Sequence, residues 1–525
     1  MNKIKILVLI STILFIGNSC TKAFLNVPPQ GQASPSLDPQ VALDEVTAAY
    51  NALITPDPTG ASAFGGYDIH GLFFITVTNI ISDDGDKGSY DQDQLPAKDI
   101  DNFTLTSDNT YVEGLWRGYY AGISRVNNAI NALSQAALDS TTVRIKTGEM
   151  RFIRGYLYFN LVRMFGGVPL VLRVPNGPKD QDTLFTSRAK DSVVYNQAII
   201  PDLQFAVANL PLKSQTQTGR ATKGAAETLL AKVYMYLKNW PQAYSLTNDV
   251  IMSGQYQLVP DYSTIWREVG DNNIESIFEI ETGIFGGADY GVPEYCEFQG
   301  PRQDNGMGIP TTPWNNPGFW NPTNDGGFGF DLPTQDLVNS YEPGDTRKAA
   351  TIIDLPASSP PDTLFDGFVV PTLIGLHVYY NYKAYHSERV NNQIEVFYGN
   401  RGLKQKNIHI LRYAEALLIN AEAANNLNNS GTAISDLNQV RSRANLPPTA
   451  ASSQSDLQTA IWNERRVELA MEHDRFWDIV RQGRAAQIMQ ASGKTSFMAN
   501  KNEILPIPSA EIALSGGRLT QNPGY

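Results

Sequence analysis

Aromatic side chains interleaved with glycine and proline carry the most distinctive chemistry of this chain. Between residues 282 and 398 stand Tyr290, Tyr295, Phe298, Trp314, Phe319, Trp320, Phe328 and Phe330, set among Gly283, Gly286, Gly287, Gly291, Pro293, Pro310, Pro313, Pro317, Pro322, Gly326 and Gly327. No helical or strand periodicity runs through the segment. A stretch this long inside a folded protein is functional or disordered, and large rings in such number argue against disorder. Flat rings with a polar edge suit binding, although each could equally pack beneath a loop.

Patterns for covalent or metal chemistry are weak by comparison. Ser492-Gly493-Lys494-Thr495 resembles the end of a phosphate-binding loop, but Ile488 stands where that loop needs its first glycine. No Gly-x-Ser-x-Gly elbow occurs, and His70, His377, His386, His409 and His473 lack metal-ligand spacing. A hydrolase using two carboxylates stays open, because its acids can lie anywhere in the chain. The acidic run Asp83, Asp84, Asp86, Asp91 and Asp93 offers hard oxygens that suit calcium; it lacks the glycine and distal glutamate register of a helix-loop-helix calcium site, and a solvated turn is the expectation. Glu464, Glu468 and Glu472 form one helical stripe with Arg465, Arg475, Asp478 and Arg481 nearby. Like charges at i, i+4 repel, so the stripe predicts an ion-pair network that locks the last helices to the rest.

These groups need a scaffold, and the periodicity predicts a helical one. Helices are expected at 41–53, 111–138, 143–165, 191–210, 223–237 and 241–253, with strand and loop over 60–108, including the apolar run 72–81. Leu230, Ala231, Tyr234 and Ala243 follow the spacing of a tetratricopeptide hairpin, turned at Asn239-Trp240-Pro241. Ala421, Ala433, Leu437 and Val440 repeat it at 408–444 with a slightly longer turn through Asn428-Asn429-Ser430-Gly431. Ordinary amphipathic helix pairs would give the same spacing.

Net charge is -12, which argues against nucleic acid as a partner, since phosphate binding needs clustered Lys and Arg. Lys3 and Lys5, the apolar run 6–16 and Gly17-Asn18-Ser19 before Cys20 have the layout of an export signal, too short to span a bilayer. Cleavage before Cys20 would leave a cysteine at the new N-terminus, where bacterial lipoproteins carry lipid; Gly17 and Ser19 depart from the usual box, and a secreted protein is the alternative. The only other cysteine, Cys296, reads as a buried small side chain. Residues 21–39 read as a tether.

Several segments together resemble the SusD/RagB outer-membrane lipoproteins of Bacteroidetes. They are Glu464-Arg465-Arg466-Val467-Glu468-Leu469-Ala470 with Glu472, Arg475, Trp477-Asp478 and Arg481-Gln482-Gly483; the ending Leu505-Pro506-Ile507-Pro508, Glu511 and Leu519-Thr520-Gln521-Asn522-Pro523-Gly524-Tyr525; Arg151-Phe152-Ile153-Arg154-Gly155-Tyr156 and Phe165-Gly166-Gly167-Val168-Pro169-Leu170; Lys223-Gly224-Ala225; and the opening Cys20-Thr21-Lys22-Ala23-Phe24-Leu25-Asn26, with Asn26 where Asp is common. The resemblance implies a mainly α, tetratricopeptide-like scaffold with an irregular, loop-rich binding face. It implies a signal peptide at 1–19, a tether at 20–39 and a single domain at 40–525 with a binding insertion at about 282–398. It implies cell-surface capture of oligosaccharide or polysaccharide for a SusC-like TonB-dependent transporter, or of peptide in the RagB branch, with no catalysis, cofactor or metal and a lipid on Cys20. Sugar rings present apolar C–H faces that aromatic rings can cover. Trp314 and Trp320, then Tyr290 and Tyr295, are the expected ligand-binding residues, joined by Tyr67 and Tyr90 in the loops after the first helix.

Overall fold

The computed structural model describes residues 38–54, 69–282, 284–285, 288–289, 295–302, 327–355, 363–367, 377–387 and 406–525. Cys20, Tyr67, Tyr290, Trp314 and Trp320 lie outside them.

The chain is mainly helical, as expected. Helix α1 (Pro39–Asn51) starts on Asp38, whose side chain accepts from Gln40 N, with Pro39 in the first turn where its missing N–H is no loss. A helix α2 (Leu72–Ile75) continues as a π-turn, Thr76–Ile80. Strand β1 (Gly85–Gly88) and helix α3 (Leu95–Asp101) follow. The long helices α4 (Thr110–Gln135) and α5 (Ser140–Phe165) are capped by Asn109 and Asp139, each accepting two backbone N–H groups. Helix α6 (Ile200–Asn209) leaves a π-turn at Tyr195–Ile199; Pro201, without an N–H, cannot continue the i→i−4 ladder there.

Residues 72–80 overturn the strand expected of them. The β-branched run Ile75, Thr76, Val77, Thr78 favours a strand on propensity, but the segment is buried on almost every side. Thr76 and Thr78 turn their hydroxyls back to Leu72 O and Phe74 O, both at 2.7 Å. An unbroken apolar run carries no period to separate helix from strand, and packing decided.

The two repeat hairpins are α7 (Lys223–Tyr236) with α8 (Trp240–Met252), and α10 (Tyr413–Asn426) with α11 (Ser430–Arg443). Their turns match bond for bond: Asn239 N reaches Tyr234 O and Asn429 N reaches Ala424 O, both at 2.8 Å. Lys238 and Asn428 hold the left-handed position in each, at φ 55° and 61°. The second turn is therefore no longer than the first, contrary to expectation. Ala231, Ala243, Ala421 and Ala433 are fully buried and allow the helices to approach closely. Helix α12 (Gln454–Glu468) and helix α13 (Arg475–Arg481) complete the array.

Strand β2 (Ser276–Ile280) ends where the irregular insertion begins, and β6 (Ile408–Arg412) marks its return. They pair antiparallel, Ile280 opposite Ile408, so the insertion leaves and re-enters the scaffold at one place. Inside it, pattern is weak but not absent: helix α9 (Tyr295–Gln299), strand β3 (Phe330–Pro333) paired with β1, and β4 (Ile352–Asp354) paired with β5 (Tyr379–Asn381) are short, local pieces. One large core serves the helices and takes in Phe298 and Phe330 of the insertion; two smaller clusters hold other apolar residues of the insertion, one of them together with Val467, Ala470 and Met471. Among the described residues no helix is long and apolar enough to cross a membrane.

Candidate functional site

The carboxylate stripe is buried, and its cations come from far along the chain. Glu468 has no exposed surface; Arg347 Nη1 and Arg412 Nη1 each stand 3.0 Å from one of its oxygens, with Arg443 also in contact. Glu472 holds Arg412 at 2.7 Å and Lys383 at 2.6 Å, and Glu464 holds Arg347 at 2.6 Å and Arg441 at 3.0 Å. Burial opposes the charge on Glu468, but Arg443, Arg412 and Arg347 outweigh it and hold the carboxyl well below its usual range. The arginines near the stripe in sequence serve other acids: Arg465 reaches Glu415 and Asp478, both at 2.6 Å, and Arg481 reaches Glu422 at 2.9 Å.

Asp83 and Asp84 of the acidic run are docked onto the lock, which corrects the solvated turn expected there for these two; Asp86 and Asp91 are exposed. Arg475 grips Asp83 with Nε at 2.8 Å and Nη2 at 2.7 Å, and Arg466 Nη2 stands 2.6 Å from Asp84. Asp83 and Asp84 are both buried. The loop beyond them is thus pinned to α12 and α13. Lys494, from the phosphate-loop look-alike, fixes the same region by donating to Gly85 O at 2.9 Å and Asp101 at 2.6 Å.

At the outer end of β1 the chain builds a small polar platform around Tyr90. The Tyr90 ring is half-buried, and the Arg302 guanidinium lies 4.3 Å from its centroid. Arg302 donates to Asp93 at 2.5 Å and to Ser89, and Ser89 Oγ donates to Asp93 at 2.8 Å. Burial works against ionised Asp93, but these two donors prevail and lower its pKa. Lys87 Nζ donates to Tyr90 O and Asp93 O at 2.8 and 2.9 Å. Tyr380 donates to Arg302 O at 2.9 Å, and His377 Nε2 lies 3.1 Å from Ser89 O.

This platform stands at the feet of the tryptophan-bearing segment. The described chain stops at Arg302 and resumes at Gly327, whose N–H donates to Pro301 O at 2.8 Å; Gly329 N reaches Gly300 O at 3.0 Å. A Cβ on Gly300 would meet Gly327 N and Cα at 3.0 Å, so this close approach favours glycine. Arg302 and Gly327, the described residues that flank 303–326 in the chain, therefore lie close together near Tyr90.

Tyr295 is placed differently. Its hydroxyl lies 3.0 Å from His473 Nε2, and burial raises its pKa; the packing role that the sequence left open beside a binding role is the one these contacts describe. Cys296 is buried, as expected.

A cavity of about 370 Å³ lies between Tyr50, Leu53 and Ile54 at the end of α1, Thr218 to Arg220, and Phe278 to Glu281. Ile54, which precedes the segment 55–68 in the chain, lies on one rim, and Ile280 and Glu281, next to the insertion, lie on the other. Near it, pairing of β2 with β6 sets His409 opposite Glu279, 3.1 Å apart, with Asp271 beside them. One donor atom from each lies within 4.8 Å of the others. Two carboxylates and an imidazole suit a divalent cation, although the Glu279–His409 pair already balances charge. No sequence spacing could reveal a group assembled across two strands so far apart in the chain.

The molecule is a helical-repeat scaffold that anchors both ends of a long insertion through the β2–β6 pair. Residues 275–525 match the family model described as SusD family, and residues 43–235 match one described as starch-binding associating with outer membrane. The solved structure of a laminarin binding SusD-like protein is 30% identical, covering 93% of this chain and 100% of that one with a TM-score of 0.73. SusD-like protein P2 of Formosa agariphila is 28% identical over 85% of this chain and 86% of its own length. Surface glycan-binding protein A from Bacteroides fluxus is 25% identical over 93% of this chain and 100% of its own, with a TM-score of 0.73. The chain belongs to the SusD family.

Proposed function

We propose that this protein captures oligosaccharide or polysaccharide at the cell surface and delivers it to a SusC-like TonB-dependent outer-membrane transporter. The observation that carries the reading is the 30% identity, along nearly the whole chain, to a family member that binds laminarin. The platform supports it: Tyr90, locked by Arg302, stands where the segment bearing Trp314 and Trp320 leaves the scaffold. In this reading Trp314 and Trp320 cover the apolar faces of sugar rings, with Tyr90, Tyr67 and Tyr290 extending the surface, and hydroxyl and N–H edges reach sugar hydroxyls. The single domain from residue 40 is held by the tether at 20–39 to a lipid on Cys20. The reading includes no catalytic step.

Native electrophoresis through gels containing laminarin or other polysaccharides tests the reading. Retardation of the wild type, lost in Trp314→Ala/Trp320→Ala with the fold retained, is the expected result. Retardation that survives the double substitution would reject this site. Heat of binding from peptide pools but from no glycan would replace the ligand class, and sugar release on long incubation would turn the reading into that of a hydrolase. Cys20→Ala is expected to move the protein from membranes to the soluble fraction.

A further inference from the structure

Buried arginines among the described residues follow one rule, with one exception. Arg154, Arg302, Arg347, Arg412, Arg441 and Arg465 each have a carboxylate within 4 Å. Arg267, 6% exposed, has none among the described residues. Its Nη1 donates to two backbone oxygens, Trp266 O at 3.1 Å and Tyr382 O at 3.3 Å, while Nε and Nη2 are buried without any hydrogen-bond partner. Asp366, in the neighbouring run, accepts instead from Tyr385 and Ser387. Asp366 acts on Arg267 from beyond ion-pair distance, and a buried guanidinium edge without a hydrogen-bond partner is unfavourable.

The unfilled edge has a specific shape. Nε and Nη2 form the side-on fork that takes both oxygens of a carboxylate, and elsewhere in this chain the same edge does so: Arg154 holds Asp202 through Nε at 2.7 Å and Nη2 at 2.9 Å, and Arg475 holds Asp83 likewise. The Arg267 guanidinium lies 4.3 Å from the ring centroids of both Phe365 and Tyr382. Those centroids are 6.4 Å apart, so the two arms meet at roughly a right angle; the rings make a corner around the cation and do not sandwich it. Tyr382 is buried, whereas Phe365 is half-buried.

We propose that the Nε/Nη2 fork of Arg267, in the corner of Phe365 and Tyr382, receives the carboxylate or sulfate of an acidic sugar unit. The inference rests on the reading of the chain as a glycan-binding protein and narrows its ligand class. The apolar face of the sugar meets Phe365, and its oxyanion fills the fork behind. The fork atoms are shielded, so entry turns the Phe365 ring aside. With a net charge of -12, long-range attraction does not recruit an anionic polymer, and selectivity comes from this contact alone.

The test compares the full mature chain with Arg267→Met and Arg267→Lys in gels containing laminarin (neutral), alginate (carboxylate) or ι-carrageenan (sulfate), with circular dichroism as the fold control. The expected result is retardation of the wild type by alginate or carrageenan, weakened roughly tenfold or more in Arg267→Met, with laminarin binding unchanged. Arg267→Lys keeps the charge without the fork and is expected to stay near the Met level; it carries the test if the Met variant does not fold. Equal affinity of wild type and variants for the acidic polymers overturns the inference. So does wild-type binding to laminarin with none to either acidic polymer, which leaves the broader glycan reading standing. Binding to no polymer removes both.

Discussion

The lock around Glu468 and the platform around Tyr90 use the same side chains, Arg, Asp, Lys and Tyr, to opposite ends. In the lock, the acids and cations are withdrawn from water and each carboxylate meets several cations. On the platform Arg302 is buried, but its partner Asp93 keeps 36% of its side chain exposed and the Tyr90 ring is half-buried. Charge pairs that are wholly buried fix one geometry, since breaking one strands the other partner. The partly exposed pair on the platform holds a ring that is half-buried, with its hydroxyl turned inside. Arg466 and Arg475 link the regions by docking Asp83 and Asp84, six or seven residues before Tyr90, onto the lock.

The comparison breaks most readily at its rigid end. Glu468→Ala leaves Arg347, Arg412 and Arg443 buried around a missing anion and is expected to lower unfolding stability by ~3–5 kcal/mol in urea denaturation. A loss under ~1 kcal/mol would show the lock to be no firmer than the platform. Next in size is the effect of pH. His70 and His473 are buried, and burial lowers their pKa to about 4 and about 3. His70 bonds to Leu53 O and Tyr156, and His473 to Thr78 and Tyr295. The unfolded chain takes up protons at these groups near pH 6.5 while the folded chain does not, so stability is full above about pH 6.5 and falls as pH drops toward 4, by roughly 2–3 kcal/mol per histidine. The contribution of Glu468, whose pKa is depressed, is lost only lower, as pH falls through the carboxylate range. His473→Asn keeps a residue tolerant of the left-handed backbone at φ 72° and removes one of the two titrations. Denaturation midpoints at pH 7, 6 and 5 should then depend less steeply on pH than in the wild type; an unchanged dependence would acquit His473.

What the sequence disclosed follows the range of each interaction. The helical periodicity over 41–53, 111–138 and 143–165 and the paired spacing of Ala231, Ala243, Ala421 and Ala433 are local signals, and the helices formed within a few residues of expectation. The stripe at Glu464, Glu468 and Glu472 announced a need for cations, but nothing in spacing could say that Arg347 and Arg412 supply them. The same distance hid the pairing of His409 with Glu279 and the burial of Asp83 and Asp84. Residues 72–80 misled because local propensity and tertiary packing disagreed. Tyr90 was singled out only through its position after the first helix; the Arg302 contact that holds it comes from a segment more than two hundred residues away.

The smallest effect on stability, and the one that sharpens the contrast, is expected at Tyr90 itself. A half-buried ring on the platform loses less packing on truncation than a core ring, so Tyr90→Ala should lower stability by only ~1 kcal/mol. Its effect on function should be disproportionate. If the ring covers a sugar face, the variant gives up that contact and leaves Arg302 without its aromatic partner, and affinity for a retarding polysaccharide is expected to fall roughly tenfold. Phe in its place retains the ring and loses only the hydroxyl, so Tyr90→Phe should recover most of the affinity. Equal loss in the Ala and Phe variants would assign the contribution to the hydroxyl, and no loss in either would make the platform, like the lock, a structural device that only carries the binding segment.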